Sequence, residues 1–184
     1  TFRRVSDGMA QNATLAICAA LGLGVAREVI PTRLAAWQPA TLRGEIRRED
    51  GRLLYLDCYN ANPASMHDAL AAFDGIAPDE APRLYVLGGM EELGSDAAAL
   101  HRALGRALVL REEDRVFALG PHAAEVQAGA RERAAAAAQI AVVASLEPVI
   151  AAFADWRGSV FVKGSRRYQL EKILSPAGAE AAAH

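Results

Sequence analysis

The chain has 184 residues, 52% hydrophobic and 23% charged, which suits one soluble domain with a sizeable core plus a fragment of a second. A net charge of −2 without a basic stripe argues against general nucleic-acid binding, and no apolar run reaches the roughly 18 residues of a membrane span. The opening TFRRVSDGMAQN is not a signal peptide, and residue 1 is Thr rather than Met, as expected of a piece of a longer protein.

In chain order, SDGMAQNATLAICAALGLG reads as a helix. Ser6 or Asp7 caps it, apolar residues recur at helical spacing, and Gly22 and Gly24 end it. AREVIPTRLAAW reads as a second, shorter helical piece interrupted by Pro31. Neither has a sheet to pack on before residue 42. RGEIRREDGRLLYLDCY then reads as a β-hairpin, with Asp50-Gly51 supplying the positive φ angles of a tight turn. Asn62 and Pro63 cap and start the helix PASMHDALAAF. The strands RLYVLGG, RVFALG, QIAVVA and SVFVKGS follow. They are separated by the helices SDAAALHRALGRALVL, PHAAEVQAGARERAAAAA and LEPVIAAFADW, and RYQLEKIL reads as a last helix.

Apolar strands alternating with amphipathic helices predict an α/β fold. We expect a doubly wound, mostly parallel six-stranded sheet, Rossmann-like, with the first hairpin strand as the antiparallel edge. The expected organisation is helices over 1–40, the sheet domain over 41–175 and a flexible tail over 176–184. In such sheets ligands bind beyond the carboxyl ends of the strands. The polar residues gather there too: Asp57 to Asn62, Gly88 to Gly94, Gly120 to His122 and Lys163 to Arg167 each follow a strand.

Each cluster has a bland reading beside a chemical one. In DCYNANPASM, Asn62 reads as a helix cap and Asp57 as a turn closer. Alternatively Asp57 accepts from a vicinal diol such as a ribose, Asn60 and Asn62 offer amides, and Tyr59 offers a stacking face. Glu91 and Glu92 are either an acid–base pair or solvated carboxylates at a helix start. His67, His101 and His122 read as ordinary packed or surface histidines. Lys163, Ser165, Arg166 and Arg167 stand at a strand-to-helix turn, where a carboxylate or phosphate fits, or where a basic surface works against the helix dipole. There is no GxxxxGK[ST] phosphate loop and no zinc-ligand spacing. Cys18 and Cys58 read as two buried free thiols of a reducing cytoplasm.

Taken together, LDCYNANPASM, YVLGGMEELGSDAAALHRALG and VFVKGSRRYQLEKIL resemble the C-terminal part of the Mur ligases. The likeness is greatest to the branch that joins D-Ala-D-Ala to UDP-N-acetylmuramoyl-tripeptide. The resemblance implies a cytoplasmic enzyme of peptidoglycan synthesis. There ATP activates the peptide carboxylate as an acyl phosphate, with Mg2+ as the accompanying ion, and the dipeptide amine attacks it. It assigns residues 1–40 to the end of the central ATPase domain. It implies ATP-binding roles for Asn12 (adenine), Arg43 (phosphates), Asp57 (ribose), Tyr59, Asn60 and Asn62, and a dipeptide-carboxylate role for Lys163, Ser165 and Arg166. The family's phosphate loop and metal ligands would lie upstream, so the resemblance implies no ligation and no tight ATP binding by this chain alone.

The departures from the family pattern are Leu56 for Asp, Leu42 for Gly, Gly8 for His and Gly89 for Asp. The alternatives are another Mur-type amino-acid ligase or a stand-alone nucleotide-binding or interaction module. If the first two helices lack a partner, dimerisation through them is a further expectation.

Overall fold

The computed structural model describes residues 6–133 and 139–174. Ser6 caps the first helix, α1 (Asp7–Gly22), its side chain accepting from the Met9 amide at 3.1 Å. The second, α2 (Val29–Ala36), carries Pro31 in its first turn, where a missing N–H costs no intrahelical bond. Pro31 therefore sits in this helix's first turn rather than interrupting it. Neither helix buries a residue, and Cys18, expected inside, is exposed because α1 has no core on which to lie. Cys58 is buried as expected.

β1 (Glu45–Glu49) and β2 (Arg52–Asp57) form the hairpin, with Asp50 at φ 51 and Gly51 at φ 76, the two positive angles a two-residue turn of this hand requires. Then follow α3 (Pro63–Asp74), β3 (Arg83–Gly88), α4 (Ala97–Ala107), β4 (Arg115–Leu119), α5 (Ala123–Arg131), β5 (Ile140–Val143), α6 (Glu147–Asp155) and β6 (Ser159–Lys163). The sheet order is β1-β2-β6-β3-β4-β5, parallel except for β1 against β2. The last described strand, β6, therefore inserts between β2 and β3 and sets Asp57 opposite Lys163.

The central strands are buried on both faces, and alternation assigns each residue to a side. Tyr55, Tyr85 and Phe161 pack with Phe73 of α3, and the Tyr55 and Phe161 rings stack at 5.5 Å. This is the face covered by α3, α4 and α5. Leu54, Leu56, Val86, Val160 and Val162 point the other way, against Val149 and Phe153 of α6 and against Leu170 and Ile173.

The chain after β6 departs from expectation. Instead of one α-helix it makes two 3-10 turns, Arg166–Tyr168 and Leu170–Leu174, parted by Gln169 at φ 47. Leu170 packs in beside Gly88 and Gly164, where side chains would leave no room, and this tertiary seat overrides the local helical pattern. Part of the expected helix after β4, the Ala run 134–138, and the tail 176–184 lie outside the described residues.

Candidate functional site

All four polar loops emerge on the carboxyl edge of the sheet, and the turn after β2 is the most heavily tied. Asn62 caps α3 in a reciprocal box: its Oδ1 accepts the Ser65 amide at 2.8 Å, and the Ser65 hydroxyl accepts the Asn62 amide at 3.1 Å. Asn60 Oδ1 accepts the Ala61 amide at 2.8 Å. Below them the Lys163 ammonium, 1% exposed, donates to Asp57 Oδ2 at 2.5 Å, to the Asn60 carbonyl at 3.2 Å and to the Asp57 carbonyl at 3.5 Å. Three acceptors use its three hydrogens.

Burial raises the Asp57 carboxyl above its usual range, while Lys163, the Gly44 amide and Arg43 pull against that shift. Asp57 stays one-fifth exposed, and a carboxylate with about four lone-pair sites keeps capacity for a further donor.

The linker before β1 meets this turn. Leu42 takes φ 61 and Gly44 φ 68, and the Leu42 carbonyl accepts the Tyr59 amide at 3.2 Å. A non-glycine residue in the left-handed region costs about 1 kcal/mol or more. That backbone is one physical reason for a glycine where this chain has Leu42. The fold sets the Arg43 guanidinium 3.9 Å above the Tyr59 ring, leaving both side chains on the surface.

Between the N-terminal helices and the turn lies a cleft of about 1070 Å3. Asn12, Leu34 and Trp37 line one side, and Arg43, Asp57, Asn60, Asn62 and Lys163 the other. Of the nine expected site residues, six converge here. Tyr59 joins through Arg43, while Ser165 and Arg166 stand outside.

The expected grouping of Lys163 with Ser165 and Arg166 is thus divided. Arg166 pairs with Glu171, Ser165 donates its amide to the Gly89 carbonyl, and a 3-10 turn stands where an α-helix start was expected. Two of the backbone amides close the loop itself: those of Tyr168 and Gln169 bond the Ser165 and Arg166 carbonyls.

Asp68 was not singled out from the sequence. Its carboxylate accepts the Gly8 amide at 3.1 Å, binding the start of α1 to α3, and a side chain at Gly8 would meet it. The readable signal was its place three and four residues after Ser65 and Ala64, on the α3 stripe that faces the cleft.

Residues 42–166, well over half of the chain, match the Mur ligase, glutamate ligase domain. The chain belongs to the Mur ligase family. The UDP-N-acetylmuramoyl-tripeptide–D-alanyl-D-alanine ligase of Mycobacterium tuberculosis is 38% identical over 119 residues, taking in 62% of this chain and 23% of the relative. The Escherichia coli enzyme of the same name is 31% identical over 166 residues, 89% of this chain and 35% of its own. A crystal structure of MurF from Acinetobacter baumannii superposes with a TM-score of 0.75 at 28% identity, over 92% of this chain and 37% of that one. The chain spans between about a quarter and a little over a third of the relatives' length.

This Mur ligase chain has a second, smaller hollow of about 180 Å3 on the same edge, lined by Met90, Glu91, Gly94, His101, His122 and Tyr168. The Tyr168 hydroxyl donates to Glu91 at 2.6 Å, and burial, then Glu91, pushes its pKa up to about 12. Tyr168 lies over Gly89 and Gly120, where a Cβ would come within 2.6 Å of its hydroxyl. Gly89, one of the departures from the family pattern, is therefore the space Tyr168 fills.

Proposed function

We propose that this chain supplies the C-terminal domain of an ATP-dependent ligase joining D-Ala-D-Ala to UDP-N-acetylmuramoyl-tripeptide in cytoplasmic peptidoglycan synthesis. On this reading residues 1–40 belong with the central ATPase domain. The carrying observation is the cleft, where Asn12, Arg43, Asp57, Asn60 and Asn62 converge from separate elements.

The residues fit a purine nucleotide in size and donor set. ATP supplies the phosphoryl group that activates the acceptor carboxylate. This chain's own groups bind and orient. Asn12 meets the base, Asp57 takes the ribose diol while Lys163 holds its carboxylate in place, and Arg43, steadied on Tyr59, faces the phosphates. The Asn60 and Asn62 amides line the mouth between nucleotide and dipeptide. The Ser165 hydroxyl and Arg166 guanidinium are this chain's groups for the dipeptide carboxylate. Among the described residues no group of three or more His, Cys, Asp or Glu side chains fits a metal ion, so no step is assigned to Mg2+ here.

The test joins this chain to the part of the Escherichia coli relative outside the match and measures phosphate release with candidate acceptors. Release that depends on D-Ala-D-Ala, with Asp57→Ala raising the KM for ATP roughly tenfold or more, is the expected outcome. Dependence on a diamino acid or on glutamate would reassign the chain to another branch of the family.

A further inference from the structure

The loop after β3 hangs on one buried histidine that the nucleotide cleft does not use. His101, in the second turn of α4, is 2% exposed. Its Nδ1 lies 2.7 Å from the Ala97 carbonyl oxygen, and its Nε2 lies 3.0 Å from the Met90 amide nitrogen. A carbonyl only accepts and an amide N–H only donates. The two contacts together therefore require a neutral ring with its proton on Nδ1. Met90 is 4% exposed, so losing that acceptor would leave a buried amide short of a partner.

Next along the chain, Glu91 receives the Tyr168 hydroxyl, and Glu92 adopts φ 62, a left-handed angle that a non-glycine residue keeps only when its surroundings hold it there. These residues, with His122 and Pro121, enclose the hollow of about 180 Å3 at the ends of β3 and β4.

We propose that His101 is the positioning residue of this hollow: as the Nδ1–H tautomer it pins the Met90 amide, thereby aims Glu91 at Tyr168, and releases the loop when it takes a second proton. Only the relevance to catalysis rests on the ligase reading; the tautomer and the pinned loop stand on the contacts of His101 themselves.

The groups that face His101 come from three elements. The loop brings Glu91, which favours its protonation, and Glu92 at the rim. The start of α5 brings His122, whose ring centroid is 5.0 Å away and whose charge opposes it. The segment after β6 brings Tyr168, with Arg167 reaching Glu91 at 3.4 Å. Burial is the largest influence and sets His101 below its ordinary pKa. The folded state thus favours the neutral ring. Its stabilisation is complete above roughly pH 6.5 and is lost as pH falls through the depressed folded value.

Nitrogen-15 NMR of the histidine rings and amide exchange, both on this chain, decide the matter. The expected result is a protonated Nδ1 and bare Nε2 on His101 at pH 7.5, with Met90 exchange rising roughly tenfold or more as His101 titrates. His101→Phe should release Met90 while leaving the core amides of Leu54 and Val160 protected. His101→Gln, which keeps an acceptor, should restore part of that protection. A proton on Nε2, or Met90 exchange that ignores the titration, would overturn the proposal even if the Phe variant failed to fold. Neither result depends on whether the cleft binds ATP, so the two readings fail separately.

Discussion

Asp57 and Lys163 show how one residue's surroundings decide the cost of its loss. Removing Asp57 strands an ammonium that is 1% exposed with only carbonyl oxygens for partners. Asp57→Ala is therefore expected to lower stability by about 3 kcal/mol, read as a drop in the urea midpoint. Lys163→Met should cost less, because Asp57 lies on the cleft wall and can take up water in place of its partner. Equal losses for the two variants would contradict this asymmetry. The place of Asp57 at a strand end was legible in the sequence. Its partner was not, because Asp57 and Lys163 meet only when β6 inserts beside β2, a register that local pattern does not carry.

At the scale of elements, turn and cap chemistry was the most readable part of the sequence. Asp50-Gly51 and Asn62-Pro63 do what their backbone preferences dictate, since the φ requirement and the cap are satisfied within four residues. Asn62→Ala is expected to cost about 1 kcal/mol by thermal or urea unfolding. If the cap is its main work, the loss should appear in stability as well as in nucleotide affinity. The segment RYQLEKIL misled for the opposite reason. Its pattern suits a helix, yet Tyr168 and Leu170 are drawn into space left by Gly164 beside them and by Gly88, Gly89 and Gly120, two or three strands earlier in the chain. The anion site expected there now stands at the start of a 3-10 turn, with Ser165 and Arg166 on it and Lys163 turned to Asp57.

In the whole molecule the sheet domain has cores on both faces, whereas α1 and α2 contribute no buried residue. Leu15, Leu23, Val25 and Val29 are exposed. An apolar surface of this kind seeks a partner. The chain is expected to self-associate as its concentration rises, measured by gel filtration with multi-angle scattering; a monodisperse monomer throughout would show that these helices tolerate water. The strand order beyond simple alternation and the Asp68–Gly8 tie belong to this scale. Each depends on contacts between residues about sixty or more apart.

The central claim is that the cleft between α1 and the turn after β2 is part of a nucleotide site. An NMR titration of this chain with Mg-ATP tests it most directly. The account predicts shifts confined to the amides of Gly8–Asn12, Arg43–Gly44 and Asp57–Asn62, with a Kd no tighter than about 1 mM, roughly 4 kcal/mol of binding. Shifts centred on Glu91 and His122 would place the nucleotide elsewhere, and no shift at any concentration would contradict the claim. Micromolar binding would instead make this chain a nucleotide module in its own right.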